Sequence, residues 1–491
     1  MGLETIIGLE IHVQLNTKSK MFCRCNNYAV NAEPNTTVCE VCFAMPGSLP
    51  VTNKQAIIYS MKAGIALHCN INEITKFDRK HYFYPDLPKG YQISQYDQPI
   101  AISGYLDIDV TEDDKSYIRK VGITRAHMEE DAGKLIHPEG ARYSLVDLNR
   151  AGTPLLEIVT EPDIRSPKEA MIFAKNLRSI LRYISVSEAN MEQGNLRVDA
   201  NISLREKGKK EFGPKVEIKN INSFKMIEKA LIYEVERQTE MIENNEKIIQ
   251  ETRGWNDAKG ITVTQRAKEE ANDYRYFPEP DIPPIVYKDM GINLEELKKE
   301  LPELPAEKAK RFMKEFGLSH NDANILSGDK DLAIFYENTS NELTEKGIDK
   351  VVAAKKSANW ILTEFLGRLN EAKLNINDSK VDENKIADLL NFIETGKISG
   401  KIAKEIFDEM FKDGKDVQQV IDEKGIKMVE AGEIDKVIDK VLLENPRSIE
   451  DFKNGKEAAL GFLVGQAMKE TRGQADPKTV NEILRNKLSK H

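Results

Sequence analysis

The chain has 491 residues, 40% of them hydrophobic and 31% charged, a size and composition that predict two or three soluble domains instead of one core. We find no run of about 18 apolar residues and no secretory or transit signal at the start, so we expect no membrane span and a cytoplasmic protein. The 71 Lys and Arg residues against 80 Asp and Glu residues give a net charge of -9, which excludes a uniformly basic nucleic-acid surface and restricts any RNA contact to a local patch.

The first predicted element is a β-strand within Thr5–Val13, followed along the chain by further short β-prone runs such as Leu155–Val159. Strict alternation places Glu10, His12 and Gln14 on one face of this strand and apolar residues on the other. A solvated edge strand is a slightly better explanation of this segment taken alone, and a ligand-binding face is the alternative.

The five cysteines all lie between Cys23 and Cys69. Two close pairs, Cys23 with Cys25 and Cys39 with Cys42, are separated by thirteen residues, enough chain to bring four thiolates around one tetrahedral ion. The spacing predicts a structural zinc knuckle near residues 23–42. Four reduced, unligated cysteines remain the alternative, because one residue separates the first pair where two to four are usual. Cys69 has no partner in sequence, and we expect a buried core thiol.

Two segments combine aromatic residues with turn formers. In Tyr82–Ser94, aromatic rings offer stacking faces for a base and Lys89 offers a point charge for phosphate. An ordinary loop closed by aromatic packing is equally compatible with this segment. The stretch Asp273–Asp281 has the same two interpretations.

Acidic and amide side chains, with one histidine, recur along the first 201 residues. Carboxylates of this kind hold magnesium at phosphate-binding sites, although each residue taken alone is more often a solvated surface group. Beyond the N-terminal strand, the candidates are His127, Glu129, Glu157, Glu192, Asp199 and Asn201. The sequence has no phosphate-loop, dinucleotide-fold or zinc-hydrolase motif, and no serine-nucleophile elbow for amide hydrolysis. Any ammonia would therefore have to come from another chain.

Helices are predicted after the Pro-rich stretch Phe277–Pro284, beginning with the amphipathic segment Ala306–Phe316. The clearest helix has one apolar face made by Ala358, Ile361, Leu362, Phe365, Leu366 and Leu369. A last helical module follows a polar stretch near Gly414, with apolar residues from Leu460 to Met468 at helical spacing.

The final module carries a local excess of positive charge. Residues 453–491 contain eight Lys or Arg and four Asp or Glu, a balance of +4. We therefore expect a local RNA-binding surface in which Lys469, Arg472 and Lys478 contact phosphates. Solvated lysines, or a basic face packed on acidic parts of the protein, are the simpler alternatives.

Several long motifs resemble the B subunits of tRNA-dependent amidotransferases, and together they cover essentially the whole chain. The motifs are Ile7–Leu15, the two cysteine pairs, Tyr84–Lys89, Glu129–Lys134, Asp147–Glu157, Lys219–Ser223, Arg275–Asp281 and Ala459–Met468.

The resemblance implies an α+β multidomain protein. Its parts are an antiparallel-sheet-rich, cradle-shaped catalytic domain over residues 1–292, an all-α middle domain over 293–412, and a helical tRNA-binding tail over 413–491. It also implies ATP-dependent phosphorylation of the side-chain carboxylate of Glu on misacylated tRNA(Gln), or of Asp on tRNA(Asn), followed by amidation. The implied partners are an amidase subunit that supplies ammonia, a small stabilising subunit and the tRNA.

The same resemblance assigns roles to candidate residues. Magnesium would be held by Glu10, His12, Glu129 and Glu157. Further residues would lie beside it, namely His127, Glu192, Asp199 and Asn201. Tyr82 and Lys89 would contact the nucleotide or the aminoacyl end.

Two functions of other classes compete with this one. A noncatalytic tRNA-binding scaffold is disfavoured because carboxylates near RNA cost affinity unless they hold a cation. A free-standing ligase with its own ammonia source is disfavoured by the missing amidase chemistry.

Overall fold

The computed structural model describes residues 2–28, 32–112, 115–267, 273–426, 431–453, 455–471 and 477–489. The chain divides into two compact units, one ending at Leu304 and the other beginning at Pro305. Strands and helices mix in the first unit and helices make up the second, so the predicted α+β multidomain class is confirmed. No helix among these described residues is long and apolar enough to cross a bilayer.

The first unit is built on a twelve-stranded sheet with the order β14-β13-β12-β11-β1-β10-β7-β5-β4-β15, where β6 pairs with β7 and β2 pairs with β6. The β12–β13 pair is parallel, and the other strand pairs are antiparallel. The strands are β1 (Leu3–Gln14), β2 (Asn70–Ile71), β3 (Ile74–Thr75), β4 (Asp78–His81), β5 (Tyr91–Ser94), β6 (Ala101–Glu112), β7 (Lys115–Glu130), β8 (Lys134–Ile136), β9 (Leu145–Asp147), β10 (Pro154–Thr160), β11 (Leu196–Glu206), β12 (Val216–Ile221), β13 (Glu251–Asn256), β14 (Ile261–Ala267), β15 (Phe277–Pro278) and β16 (Ile285–Val286).

Helices of the first unit begin where polar side chains satisfy free backbone N–H groups. Asn53, Ser166 and Ser223 cap α1 (Lys54–Ala66), α2 (Pro167–Tyr183) and α3 (Phe224–Glu243) in this way, the usual role of such residues at helix starts. A 3₁₀ turn, Tyr287–Met290, and α4 (Leu294–Lys299) follow the last strand. Leu297 of α4 belongs to the apolar core of the first unit.

The alternating face of β1 is explained by its position inside the sheet. β1 lies between β11 and β10, so the edge-strand interpretation of this segment is wrong. Its apolar residues Leu9, Ile11 and Val13 are buried in the core shared with α2. The opposite face is left to polar side chains, as period-two alternation requires.

The second unit is helical. Its elements are α5 (Pro305–Phe316), α6 (His320–Gly328), α7 (Lys330–Glu345), α8 (Lys350–Trp360), a π-helical turn (Ile361–Phe365), α9 (Leu366–Ala372), a 3₁₀ turn (Ile376–Asp378), α10 (Glu383–Glu394), α11 (Gly400–Asp413), α12 (Val417–Lys424), α13 (Ala431–Glu444), α14 (Pro446–Lys453), α15 (Glu457–Glu470) and α16 (Pro477–Leu488). The predicted helix through residues 358–369 is confirmed, with the π turn as an unforeseen feature in its middle.

Two separate apolar clusters form inside this second unit. One extends from Ala309 to Ile421 and includes Val417 and Val420 of α12. The other extends from Ile434 to Leu488. The boundary between the two apolar clusters therefore lies after α12, between Ile421 and Ile434.

Candidate functional site

Strand register brings the predicted polar residues onto one face of the sheet. In β1 and β10, His12 lies opposite Glu157, and in β10 and β7, Glu157 lies opposite His127. Glu129 is two residues beyond His127, on the same face of β7. Three adjacent strands thus contribute side chains to one row.

Three of these side chains converge closely. His12 Nε2 lies 3.4 Å from Glu129 Oε1 and 3.3 Å from Glu157 Oε2, and one ligand atom from each residue falls within 4.8 Å of the others. Neighbouring ligands of octahedral magnesium at about 2.1 Å bonds are about 3.0 Å apart. The two distances from His12 are close to this spacing, whereas the whole set, within 4.8 Å, has to close further to make one face of an octahedron. The two carboxylate oxygens are the ligands that magnesium prefers, and the imidazole nitrogen of His12 completes the set when the bound cation displaces its proton.

The electrostatics of this triad are set by burial and by pairing. Burial alone lowers the pKa of His12, but the hydrogen bond to Glu157 and the charges of both glutamates outweigh it and raise the pKa to about 9. Burial raises the pKa of Glu129. Burial also acts to raise the pKa of Glu157, yet His127 and His12 hold it well below its usual value. Glu157 is therefore the firmly ionised carboxylate of the group.

His127 completes the surroundings of Glu157. Its Nε2 lies 3.4 Å from Glu157 Oε2 and the side chain is 4% exposed. Among the described residues, Nδ1 of His127 is buried and has no hydrogen-bond partner. The ring therefore acts through Nε2 on the carboxylate.

A second row lies on β1 and β11. Glu10 is opposite Asp199, and its pKa is raised by burial and by the nearby Glu157. Asp199 accepts a hydrogen bond from Lys219 Nζ at 2.8 Å, and Asn201 Oδ1 is buried without a partner in the described part of the chain. Glu10 therefore borders the triad through Glu157, while Asp199 and Asn201 lie farther along the sheet on β11.

Glu192 lies apart from both rows. It is exposed in a turn before β11, where its backbone N–H donates to Asn190. The structure does not bring its side chain into the converging triad.

Tyr82 and Lys89 lie in the predicted aromatic segment. The hydroxyl of Tyr82 donates to Gln92, and burial raises its pKa. Lys89 Nζ pairs with Glu130 at 2.7 Å, and Glu130 is buried. The charge of Lys89 is thus already balanced by a carboxylate of the protein, whereas a lysine that binds phosphate usually has no such partner.

Two further residues were not singled out from the sequence. Arg125 precedes His127 by two positions on β7, and its buried Nε has no partner in the described region. The ring of Tyr276 stacks on Tyr96 with centroids 4.2 Å apart. Burial is the main cause that raises the pKa of Tyr276, and the charges of the triad glutamates raise it further. Extending the period-two pattern backwards from His127 would have found Arg125.

The four clustered cysteines form a compact sulfur site. Cys42 Sγ lies 3.6 Å from Cys23 Sγ and 3.9 Å from the sulfurs of Cys39 and Cys25. A tetrahedron with metal–sulfur bonds of about 2.3 Å has sulfur–sulfur edges of about 3.8 Å. The three sulfur–sulfur distances from Cys42 match this edge, and all four sulfurs lie within 4.8 Å of one another, so the donor set fits zinc.

Cys69 is separate from this cluster, among the partly buried residues packed on the core. Burial raises the pKa of its thiol to about 12.

Some cations of the tail are exposed, and others form ion pairs within the protein. Lys469 is exposed on α15; Arg472 lies outside the described residues, and of Lys478 only the backbone is described. Other tail cations form ion pairs: Lys487 with Asp435 and Asp439, and Arg485 with Glu457. Internal pairing reduces the positive charge that the tail can offer to RNA.

Comparison with known proteins gives matches along the whole chain. The family described as GatB/GatE catalytic domain matches residues 5–293, and the one described as GatB domain matches residues 341–488. Three relatives are each named as the B subunit of an aspartyl/glutamyl-tRNA(Asn/Gln) amidotransferase. That of Carboxydothermus hydrogenoformans is 50% identical over 99% of both chains. That of Persephonella marina is 52% identical over 99% of this chain and all of its own. That of Thermotoga maritima is 50% identical over 99% of both.

Proposed function

The chain belongs to the B-subunit family of aspartyl/glutamyl-tRNA(Asn/Gln) amidotransferases, whose role is tRNA-dependent amidation. We propose that the polar face on β1, β10 and β7 carries out the ATP-dependent activation step of this reaction. The convergence of His12, Glu129 and Glu157 within 4.8 Å is the observation that supports this proposal most strongly. The substrates would be Glu on misacylated tRNA(Gln), Asp on misacylated tRNA(Asn), or both.

The chemistry follows from the weakness of a carboxylate as an electrophile. In the first step, a side-chain carboxylate oxygen of the aminoacyl group attacks the γ-phosphorus of ATP and ADP leaves. In the second step, ammonia attacks the acyl carbon, inorganic phosphate leaves with the electron pair of the C–O bond, and the nitrogen loses one proton to the departing phosphate. Magnesium, when bound, would neutralise charge on the phosphates during transfer.

The chain's own residues would prepare this reaction. His12, Glu129 and Glu157 would hold the cation, while His127 fixes the orientation of Glu157. Arg125, without an anionic partner among the described residues, would bind an oxygen of the nucleotide phosphates. Glu10, Asp199 and Asn201 would line the approach, and Tyr82 with Tyr276 would offer aromatic surface to a base.

The amidation step needs ammonia from outside this chain. We found no amide-hydrolysing nucleophile motif in the sequence, and the relatives are named as one subunit of a larger enzyme. We therefore propose assembly with an amidase subunit and a small stabilising subunit, acting in the cytoplasm where tRNA is charged.

We also propose that Cys23, Cys25, Cys39 and Cys42 hold a structural zinc ion. The support is the near-tetrahedral spacing of their sulfurs. Four protein thiolates leave no open position for substrate, which is the mark of a structural site.

The activation proposal can be tested by replacing Glu129 with Gln in the assembled enzyme. ATP cleavage stimulated by misacylated tRNA, amidation, tRNA binding and Mn²⁺ binding would be measured together. Activation on this face predicts loss of ATP cleavage and weaker Mn²⁺ binding, with tRNA binding retained. Normal ATP cleavage by this variant would instead favour a noncatalytic, tRNA-binding role for this chain.

A further inference from the structure

A lysine is buried beside the cysteine cluster. Lys20 is 0% exposed, which is rare for a lysine because an unpaired ammonium inside a protein costs several kcal/mol. Its Nζ lies 3.4 Å from Cys42 Sγ and 3.3 Å from the carbonyl oxygen of Leu148. Within the described ranges, no carboxylate lies at ion-pair distance from this nitrogen.

The backbone holds Lys20 firmly in this position. Its N–H donates to the carbonyl of Cys25, and its carbonyl accepts from Asn53 at 3.2 Å. The side chain passes Gly152, where an added Cβ would lie 3.6 Å from Lys20 Cδ. The ammonium therefore cannot move to solvent without local rearrangement.

The anion that balances Lys20 has to be sought among the cysteines, because a carbonyl oxygen carries no net charge. Four thiolates around one Zn²⁺ have a net charge of 4 × (−1) + 2, or −2. An N–H donor on one thiolate lowers that charge locally and orients the sulfur, as neighbouring donors do around other metal sites.

We propose that Lys20 is the built-in countercharge of the zinc–thiolate cluster and stabilises the bound metal through an N–H···S hydrogen bond to Cys42. This inference rests on the zinc site proposed above. Lys20 is then a positioning residue for the metal. Through Leu148 it also joins the cluster to the loop that leads into β10, the strand carrying Glu157.

The test compares Lys20→Met with Lys18→Met in the full-length chain. Lys18 is exposed two residues earlier on the same segment, so it controls for the general loss of a positive charge. Zinc content is measured first, and then the rate at which a chromogenic chelator removes zinc. Lys20→Met is expected to release zinc about 10- to 100-fold faster, whereas Lys18→Met should match the wild type.

Cobalt substitution supplies a readout that a merely structural role would not change. Without the N–H donor, Cys42 gives electron density more readily, so the sulfur-to-cobalt absorption band should move to longer wavelength in Lys20→Met. If that variant does not fold, Lys20→Leu, which is shorter, uncharged and has no side-chain N–H donor, takes its place with the same expectation. A release rate and a cobalt band equal to those of the wild type would overturn the role of Lys20 alone. Wild-type protein purified without zinc would overturn the zinc site together with this role.

Discussion

Replacing Glu157 with Gln is the most incisive change to the proposed activation site. The amide keeps the size of the side chain and can still form hydrogen bonds, but it removes the negative charge. That charge lies 3.3 Å from His12 Nε2 and 3.4 Å from His127 Nε2. We expect the variant to fold and to lose most of its tRNA-stimulated ATP cleavage.

The size of the loss can be worked from these distances. Glu157 and one positive charge of the bound cation, separated by about the 3.3 Å spacing of the ligand atoms, would interact by about 5 kcal/mol at an effective dielectric constant of about 20. Water and the remaining ligands offset part of this when the charge is removed. A net increase of about 3–4 kcal/mol in the barrier, or about 10²–10³-fold in kcat, agrees with the removal of one charge-stabilising group elsewhere.

The assay is ADP release by the assembled enzyme with misacylated tRNA at a series of magnesium concentrations. Glu161→Gln is the matched control, because Glu161 is an exposed carboxylate just beyond β10. The control should behave as the wild type, and tRNA binding should be equal in all three proteins. ATP cleavage by Glu157→Gln at the wild-type rate would refute the assignment of the cation to this face.

Four other changes give separate predictions. Joint replacement of Cys39 and Cys42 by Ser should abolish zinc binding, as measured by elemental analysis of the purified chain. Arg125→Met should raise the KM for ATP about 10- to 100-fold, the effect of losing a charged hydrogen bond, in steady-state kinetics. Removal of residues from 427 onward should raise the KM for charged tRNA and reduce the salt dependence of binding by about one unit of slope for each phosphate that the tail no longer binds; unchanged KM and slope would exclude a tail dock. Glu234→Gln should destabilise the protein by on the order of 3 kcal/mol in urea unfolding at neutral pH. Burial acts to raise the pKa of Glu234, but its hydrogen bonds lower it overall, so the difference from wild type should shrink as pH falls through that lowered pKa.

Local patterns predicted much of the fold and part of the site. Alternation along β1 placed Glu10 and His12 on one face because a strand has a period of two. Helical spacing predicted the segment through residues 358–369. The strand register could not be read in the same way, since it depends on pairing between segments more than a hundred residues apart. Which acidic residues would meet His12 therefore could not be worked out from the residues alone.

Residues that act against their usual behaviour were the hardest to foresee. Lysines are mostly exposed, so nothing in the sequence singled out Lys20 as a buried neighbour of the cysteine pairs. Lys89 showed a related difficulty, because the sequence did not reveal its pairing with buried Glu130, and its contact with the nucleotide or the aminoacyl end stays a prediction. In both cases the partner comes from a distant part of the chain, and charge alone does not identify it.

The distances among the triad side chains depend on the register of the strands that carry them. His12, Glu157 and Glu129 come from β1, β10 and β7, three neighbouring strands whose opposite face is packed in one apolar core. A shift of one residue in either pairing would turn a whole strand over, exposing its buried apolar side chains. The hydrophobic core that fixes the register thereby also fixes the distances among the ligand atoms proposed for the cation. A hard cation such as magnesium, which tolerates little departure from octahedral geometry, is suited to a site held by strands in this way, because the ligands need no loop closure to reach their positions.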